Sequence, residues 1–405
     1  MNTLNRGQRK ICEEAVQWFK YGSEQVFEID GKAGTGKTHL MFRILQQLGL
    51  SVNQFLPMAY TGQASIVMRT RGFTTARSIH SSLYEVIETY DNSNISDRYG
   101  MPFKKKEFVL KKFIDPNIVL FFIDEGYMVP DSMVKDILSF GIKVIVCGDS
   151  NQLPPVAGNP GFLTGPGVHH LTELMRQALD NPIVYLAERA RLGQPIHLGT
   201  YGTNAMVIED CDFIPQMIGF ADCVACGTNR TRDYMNSYIR QLAGYTNPMP
   251  SFGERVVCRN NNWQMVKDGI ALANGLTGII ASQPDVSHYN GKAFTINFKP
   301  DLANTMFFDI PVNYEYFISP YDKRQELKEN AKWMIGEMFE FAYASTTHLL
   351  QGSEYNNGIY IEEFMRPQMQ NKLNYTACTR FKQNLIYIKK ANKTFHFPDY
   401  NIKQK

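Results

Sequence analysis

The sequence lacks any long hydrophobic run. The most continuous apolar stretch, residues 118–123, is far too short to cross the roughly 30 Å core of a bilayer. A basic and apolar leader is also absent at the N-terminus, so nothing there resembles a signal peptide. These absences predict a cytoplasmic protein that makes no contact with a membrane.

Cysteines are few, scattered and odd in number, with seven in 405 residues. They do not form the framework of a disulfide-rich secreted domain. Cys223 and Cys226 form one CxxC, and no second ligand pair stands nearby. Zinc binding and chance spacing on a buried strand both remain open, and the buried strand is the favoured interpretation.

The chain also lacks internal repeats, low-complexity segments and long linkers. With 44% hydrophobic and 20% charged residues, it can bury real cores and should divide into two to four compact units. A net charge of +3 is uninformative, because basic residues can be confined to one groove. The densest basic cluster is interleaved with aromatics and fits either a solvated face or nucleic-acid contact. It contains Phe103, Lys104, Lys105, Lys106, Phe108, Lys111, Lys112 and Phe113.

Residues 31–38 read Gly-Lys-Ala-Gly-Thr-Gly-Lys-Thr and fit the phosphate-loop pattern G-x-x-x-x-G-K-[ST]. An expected strand at 25–30 precedes them and an expected helix follows, which is the setting that the pattern requires. Lys37 is predicted to reach the β- and γ-phosphates of ATP, and Thr38 to ligate Mg²⁺. The loop residues predicted to bind the nucleotide are Ala33, Gly34, Thr35, Gly36, Lys37 and Thr38.

Two further strands are expected to deliver polar residues to the same edge of a parallel sheet. The apolar run 118–123 ends at Asp124 and Glu125, which predicts a carboxylate for Mg²⁺ and one that activates the attacking water. Both could instead be acidic caps of the following helix. A strand at 143–147 leads to Gln152, which is therefore predicted to lie near the γ-phosphate.

The order of these segments resembles superfamily 1 helicases of the RecD-like, 5′-to-3′ branch, and within it the compact Dda-type helicases of T-even bacteriophages. The resemblance covers nearly the whole chain. Residues 148–155 are similar to the family's motif III, and residues 4–8 to its Q motif, in which Gln8 would read adenine. The resemblance to these helicases implies that the chain uses ATP and Mg²⁺ as cofactors.

The resemblance also implies residues that touch a DNA strand. Residues 59–64 and 75–80 are similar to motifs Ia and Ib, although Tyr60 stands where the family usually has proline, and both could be ordinary turns. In the second half, residues 227–230 resemble a counterpart of motif Ia, and residues 341–354 resemble motif V. Leu349 stands there in place of the family's lysine, and His348 could be a core histidine. The implied strand-contacting residues are Thr61, Gly62, Thr75, His80, Asn229, Thr346, Thr347 and His348.

Two arginines would link ATP hydrolysis to domain movement. Residues 169–177 resemble motif IV with Arg176, and residues 374–380 resemble motif VI with Arg380; Glu354 of motif V would lie at the nucleotide. A guanidinium supplied by a second domain stabilises the transferring phosphoryl group only when the cleft is closed. The adjacent His169 and His170 also suggest a metal, but on an expected helix they would point about 100° apart and no usual third ligand follows.

The predicted fold class is α/β, with two RecA-like P-loop domains built on parallel sheets. The first domain spans 1–168, and the second spans 169–252 and 332–405. Residues 253–331 have a β-rich pattern. The resemblance implies that they form an inserted SH3-like barrel and that residues 84–112 form an inserted β-hairpin pin. At the pin, Tyr99 and Phe103 are candidates for a wedge that stacks on the first broken base pair, or for simple hairpin anchors.

The predicted function is ATP-dependent, 5′-to-3′ unwinding of DNA by a monomer in the cytoplasm, the host cytoplasm if the chain is phage-encoded. Expected partners are single-stranded and fork DNA, with single-strand-binding or replisome proteins as further candidates in replication and recombination. Two alternatives remain: a translocase that displaces proteins or drives strand exchange, and, in another class, a P-loop kinase. A DNA-binding scaffold with a decayed P-loop conflicts with intact Lys37, Thr38 and Glu125.

Overall fold

A computed structural model of the chain describes residues 4–90, 104–175, 180–287, 289–329 and 335–390. Three sheets of five or six strands and two separate two-stranded ribbons organise these residues. None of the helices in the described ranges is long and apolar enough to cross a membrane.

The first sheet is parallel throughout and has the strand order β3-β2-β6-β7-β1-β8. Its elements and the hairpin that interrupts it are α1 (Arg6–Tyr21), β1 (Val26–Gly31), α2 (Lys37–Leu48), β2 (Phe55–Ala59), α3 (Gly62–Thr70), β3 (Arg77–Ser78), α4 (Ile79–Leu83), β4 (Tyr84–Tyr90), β5 (Lys104–Leu110), β6 (Leu120–Asp124), α5 (Asp131–Ser139), β7 (Lys143–Gly148) and β8 (His169–Leu171).

Both faces of this sheet are covered by apolar side chains. On β6, Leu120 and Phe122 join the core that α1 and α2 complete, whereas Phe121 and Ile123 point to the opposite core beside α5. A strand buried on both faces has a continuous apolar sequence, which is why 118–123 predicted it correctly. All strands end at one edge, where β1, β6 and β7 present the P-loop, Asp124 and the motif III segment.

The second sheet has the order β19-β11-β20-β21-β10-β9, parallel except for the edge strand β9. Helices cover both of its faces, as on the first sheet. Its elements are α6 (Pro182–Arg191), β9 (Gly199–Tyr201), β10 (Ala205–Glu209), β11 (Cys223–Cys226), α7 (Asn229–Leu242), β19 (Ala344–Thr346), β20 (Tyr355–Ile361), α10 (Pro367–Cys378) and β21 (Phe381–Lys389).

A third, antiparallel sheet of order β17-β16-β15-β12-β18 lies between α7 and β19 in the sequence. It encloses its own core, which includes Val256, Phe294 and Phe298. Its elements, with an additional two-stranded ribbon β13–β14, are β12 (Arg255–Cys258), β13 (Asn262–Lys267), β14 (Ile270–Leu272), β15 (Thr277–Ile280), β16 (Ala293–Pro300), β17 (Phe307–Asn313), α8 (Tyr314–Ile318), α9 (Tyr321–Glu329) and β18 (Phe339–Phe341).

A buried charge cluster joins the third sheet to α7. The carboxylate of Glu340 lies 3.4 Å from Arg232 Nη1, 3.3 Å from Arg324 Nη1 and 3.3 Å from Arg259 Nε. Burial acts to raise the pKa of Glu340, and the three arginines lower it to about 2. Burial, followed by repulsion from the same arginines, lowers the pKa of Lys328 on α9 to about 8.

Three details of the predicted organisation are wrong. His169–Leu171 is a strand rather than part of a helix, and it pairs with β1, so the first sheet continues past the predicted boundary at 168. Phe339–Phe341 pairs with β12, so the third sheet continues past the predicted end of the insertion at 331. The insertion also contains α8 and α9, which the β-rich pattern did not indicate. The strands at 169–171 and 339–341 each pair with a strand that is distant in the sequence, and local sequence does not reveal such pairing.

Candidate active site

The P-loop follows β1 and opens α2, as the sequence predicted. Gly34 and Gly36 have φ angles of +83° and +78°, a left-handed conformation in which a side chain would be strained. A Cβ on Gly36 would also lie 2.6 Å from Nε2 of Gln8. Lys37 Nζ donates hydrogen bonds to the carbonyls of Gly31 and Lys32, so the lysine ammonium lies across the loop that is expected to hold phosphates.

Gln8 is fully buried and contacts the P-loop through its side-chain amide. Its Oε1 accepts a hydrogen bond from Asn5 N, which completes a capping box at the start of α1, and its Nε2 donates to Thr35 O at 2.9 Å. Both ends of the amide are therefore engaged within the protein. The adenine contact that the resemblance implied for Gln8 stays a prediction and would have to use the second N–H or the second lone pair of the amide.

Asp124 and Glu125 stand at the carboxyl end of β6. Asp124 Oδ1 accepts the backbone N–H of Glu125, whose φ of +54° is unusual for a residue with a side chain. Burial raises the pKa of the Glu125 carboxyl; Arg380 opposes this shift, and the neighbouring Asp124 adds to it. A raised pKa fits a group that takes a proton from water.

Arg380 reaches this edge from the second sheet. Its guanidinium is 4% exposed, donates through Nη2 to Gln152 Oε1 at 3.1 Å and lies 3.9 Å from Glu125 Oε1. Bonds from the same side chain to Thr376 O and Ser353 O fix its orientation. The structure thus brings together three of the predicted catalytic residues, Glu125, Gln152 and Arg380.

Tyr375 is a residue of this cleft that sequence reasoning missed. Its hydroxyl accepts a hydrogen bond from the P-loop N–H of Ala33 at 2.9 Å and donates to Asp149 Oδ2. Tyr375 precedes Arg380 by five residues and stands in α10, so one helix contacts both the P-loop and motif III. The position of Tyr375 inside the motif VI segment was the available signal. The sequence alone does not show whether a tyrosine acts through its hydroxyl group or only packs its ring.

Other bonds extend the same contact between the two sheets. Lys32 Nζ lies 2.9 Å from Glu188 Oε1 of α6. On the motif III side, Leu153 N donates to Thr376 Oγ1, and Leu153 O accepts from Gln351 Nε2. The segment after β8 adds a backbone bond from Met175 N to Gly34 O. The P-loop and motif III are therefore bonded directly to the second half of the chain.

Arg71, at the end of α3, was also missed. Its Nη1 lies 3.1 Å from Thr38 Oγ1 and 3.9 Å from Asp124 Oδ2, and its Nη2 bonds to Glu354. Lys382 Nζ lies 2.5 Å from the other carboxylate oxygen of Glu354. No helicase motif named in the sequence includes Arg71, so only the fold reveals that it belongs to this site.

Three predicted residues lie outside the described part of the chain. They are Arg176, the arginine expected in motif IV, and Tyr99 and Phe103 at the pin. The roles assigned to them therefore stay predictions.

Thr61 and Gly62 of motif Ia follow the end of β2, and the ring of His80 lies 6.2 Å from the ring of Tyr60 beside them. Thr75 precedes β3 and lies with Phe55 and Leu56 towards the start of β2. Thr61 caps α3 by accepting the N–H of Ala64, and Gly62 follows as the first residue of that helix. Thr75 is exposed. The ring of His80 lies 6.2 Å from Trp263, nearly parallel to it, and burial lowers the pKa of His80. These small and neutral groups are compatible with phosphate contact.

The second-half candidates divide into accessible and buried residues. Asn229 opens α7 and His348 is half-buried, whereas Thr347 is fully buried and donates to Cys226 O. Thr346 is also buried. The Thr347 side chain is therefore a structural support of β11 in this conformation and cannot touch a strand. Both cysteines of the CxxC are buried on β11. This position agrees with the favoured interpretation of the pattern as part of a buried strand.

The N-terminus of α7 is already bonded to a carboxylate. Glu363 accepts the N–H groups of Gly227 and Thr228 and the hydroxyls of Thr228 and Thr231, with bonds of 2.5–2.9 Å. A helix N-terminus is an intrinsic anion site, and here an internal anion binds it. The predicted contact at Asn229 must therefore be made beside this cap.

Strands β4 and β5 pair as an antiparallel hairpin within 84–112, with Tyr84 opposite Leu110. Its base contacts the β13–β14 ribbon of the third sheet region. Trp263 lies 6.3 Å from Phe108 in an edge-to-face arrangement, and Arg69 donates to the carbonyls of Asp268 and Gly269. The ribbon thus bridges the hairpin and α3.

Comparisons with known proteins agree with this geometry. A protein-family model described as an AAA domain matches residues 3–210. The chain is 22% identical over 407 positions to the ATP-dependent RecD2 DNA helicase of Deinococcus radiodurans, an alignment that covers 92% of this chain and 48% of that protein. The chain therefore spans about half the length of this relative.

Solved Pif1 helicases share the fold. The Candida albicans protein is 15% identical with a TM-score of 0.51, over 96% of this chain and 95% of that one. Bacteroides Pif1 in complex with ADP-AlF3 and single-stranded DNA is 18% identical with a TM-score of 0.55, over 99% and 96% of the two chains. The predicted α/β class with parallel sheets is confirmed.

Proposed function

We propose that this chain, which belongs to the AAA-domain family because that family's model matches residues 3–210 of its 405, is an ATP hydrolase that acts as a DNA helicase. One observation carries the proposal. Arg380 of the second sheet region reaches Glu125 and Gln152 of the first, within a P-loop site. A kinase acting on a small acceptor would have no need of this contact between the two halves.

The site fits a magnesium nucleotide. Thr38 offers a hydroxyl and Asp124 a carboxylate, the hard oxygen ligands that Mg²⁺ prefers, and the P-loop N–H groups and Lys37 suit phosphates. The bound metal would neutralise charge on the phosphates. Glu125 would orient and deprotonate the attacking water, and Arg380 would stabilise charge that develops on the γ-phosphoryl group.

The contacts between the halves suggest how hydrolysis drives movement. Leu153 lies one residue from Gln152 and bonds to Thr376 and Gln351, so a change at the γ-phosphate is transmitted to α10 and to the segment before β20. Closing and reopening the cleft would alternate the grip of the two halves on a single strand. The strand would cross Thr61, Gly62, Thr75 and His80 in the first half, and Asn229 and His348 in the second.

The direction of movement and the partners complete the proposal. We infer 5′-to-3′ translocation from the RecD-like motif order, and the similarity to a RecD2 DNA helicase supports it. Single-stranded and fork DNA are the proposed substrates, which the Bacteroides Pif1 complex with single-stranded DNA supports. The closer resemblance to Dda-type phage helicases, and roles in replication or recombination, remain predictions, as does the pin assignment of β4–β5.

The test measures ATP hydrolysis with and without oligo(dT), followed by unwinding of duplexes that carry a 5′ or a 3′ single-stranded tail. We expect DNA-stimulated hydrolysis and unwinding of the 5′-tailed duplex only. Lys37→Ala should abolish both, while the exposed Lys20→Ala serves as a matched control. A basal rate that DNA leaves unchanged, together with phosphate transfer to a small acceptor, would support a kinase and refute the helicase.

A further inference from the structure

The carboxyl end of α3 places a guanidinium among the proposed magnesium ligands. Gly72, whose φ is +107°, turns the chain directly after Arg71, and the Arg71 side chain runs back towards the P-loop. There its Nη1 is 3.1 Å from Thr38 Oγ1 and 3.9 Å from Asp124 Oδ2. These are the two oxygens assigned above to Mg²⁺.

The same guanidinium is held from the opposite side by Glu354, in the loop before β20. Arg71 thereby connects the P-loop side of the cleft to the second half of the chain by a charged bridge. A guanidinium has five donors in a planar fork and keeps its charge at any physiological pH. The bridge can therefore be broken by competition for its oxygens but not by loss of a proton.

A magnesium ion would be held by the Thr38 hydroxyl directly and by the Asp124 carboxylate through water. The Arg71 fork contacts the same two groups, and two cations at such short range repel each other strongly. Arg71 and the metal are therefore alternative occupants of this position. Binding of a metal nucleotide must displace Arg71 and so release its hold between Thr38 and Glu354.

We propose that Arg71 is a positioning residue that holds the magnesium ligands and Glu354 together until a metal nucleotide displaces it. The proposal rests on the nucleotide site described under the proposed function. According to this proposal, the metal ion, and not the nucleotide alone, breaks the bridge that Arg71 forms between the two halves of the chain. Without metal, Arg71 is not displaced, and its charge stays available to the phosphates of the nucleotide.

The test uses the full chain and a fluorescent ADP, with binding measured in EDTA and in Mg²⁺. In EDTA, Arg71→Gln should weaken binding by about tenfold, because the site loses one of its cations and Lys37 is left to neutralise the phosphate charge. In Mg²⁺ the same variant should bind as tightly as the wild type or more tightly, because the metal excludes Arg71. Arg71→Lys should recover part of the affinity in EDTA.

Lys382→Gln is the matched control, since Lys382 also binds Glu354 but has no contact with Thr38 or Asp124. It should leave the ratio of the two affinities unchanged. As a second readout, Mn²⁺ binding to the nucleotide-free chain, followed by electron paramagnetic resonance, should strengthen in Arg71→Gln. Glu354→Gln frees Arg71 without deleting it, and should also strengthen Mn²⁺ binding.

An equal loss of nucleotide affinity in EDTA and in Mg²⁺ would overturn the exchange and make Arg71 an ordinary phosphate ligand. Unchanged affinities and unchanged Mn²⁺ binding would also overturn it. If the wild-type chain binds no nucleotide under either condition, the proposed function itself fails.

Discussion

At the scale of single residues, the cleft depends on side chains of the second sheet region that bond directly to residues of the first. Tyr375 bonds to the P-loop and to Asp149, and burial together with Asp149 raises the pKa of its phenol well above the usual value. The hydroxyl therefore keeps its proton and can donate to Asp149 while it accepts from Ala33. Arg380 makes the corresponding contacts to Gln152 and Glu125.

Glu125→Gln should retain ATP binding and lose ATP turnover. The amide keeps the size of the carboxylate but cannot accept a proton from water, so we expect kcat to fall by roughly 10²–10⁴-fold. Binding of a fluorescent ATP analogue should change little, and single-turnover hydrolysis should show the loss. Glu13→Gln, an exposed carboxylate on α1, is the control. A wild-type rate of ATP turnover in Glu125→Gln would contradict the proposal that Glu125 activates the attacking water.

Lys328→Met should stabilise the protein at neutral pH. The pKa of Lys328 is about 8 in the folded chain and about 10.4 when unfolded, so the unfolded state binds more protons between these values and stability rises with pH there. Below pH 8 the full cost of the buried charge is present. We expect the variant to raise Tm by about 1–2 °C at pH 7, with the gain shrinking towards pH 10.

The exposed Lys323 on the same helix supplies the control, because Lys323→Met removes a solvated charge. Its Tm should stay near that of the wild type throughout the pH range. A Lys328→Met gain that is the same at pH 7 and pH 10 would show that packing, and not charge, is responsible.

Sequence motifs predicted the residues whose role is local. The P-loop, Asp124 with Glu125, and Gln152 each follow a strand directly, so their shared edge could be expected from the parallel fold alone. Arg71 and Tyr375 gain their roles from partners on other elements, up to 283 and 342 residues away in the chain, which no local pattern encodes. Thr347 shows the converse, because a motif residue can turn inwards to satisfy a backbone carbonyl.

At the scale of elements, the β4–β5 hairpin is supported by the β13–β14 ribbon through Trp263. A free two-stranded hairpin is marginally stable in water, so this contact orders the base of the hairpin. The ribbon could not be predicted from the turn signals in the insertion, because its packing partner is an aromatic on β5, more than a hundred residues earlier.

Phe108→Ala should impair unwinding more than it impairs ATP hydrolysis. Phe108 packs edge-to-face on Trp263, an interaction worth roughly 0.5–1.5 kcal/mol, so its loss should loosen the hairpin and slow strand separation by about 2–10-fold. Hydrolysis stimulated by oligo(dT) should stay near wild type. Phe113→Ala is the matched control, since Phe113 is 86% exposed. Equal unwinding rates in the two variants would show that the hairpin has no role in strand separation.

At the scale of the whole molecule, the net charge of +3 is compatible with a strand-binding groove confined to one surface. The candidate contacts come from both halves of the chain and are mainly hydroxyl, amide and imidazole groups. Such groups bind phosphates and sugars and carry little information about base sequence.

Binding of single-stranded DNA should therefore vary little with sequence, and it should weaken steeply with salt where basic side chains of the groove neutralise phosphates. We expect a slope of log affinity against log salt of about −0.7 for each phosphate neutralised. Fluorescence anisotropy of labelled oligo(dT) and of a mixed-sequence strand of equal length would measure both properties. A flat salt response, or a strong preference for one sequence, would contradict a groove that holds the backbone.

The accessibility of the seven cysteines has a practical consequence. Six of them are buried and Cys211, just after β10, is exposed. Partial desolvation and the carboxylates of Asp212 and Glu209 raise the pKa of the Cys211 thiol, so maleimide coupling should be slow at neutral pH and become faster as the pH rises. The native chain thus offers one dye position in its second half, and energy transfer from that dye to a labelled strand end could follow single molecules as they move, without any substitution.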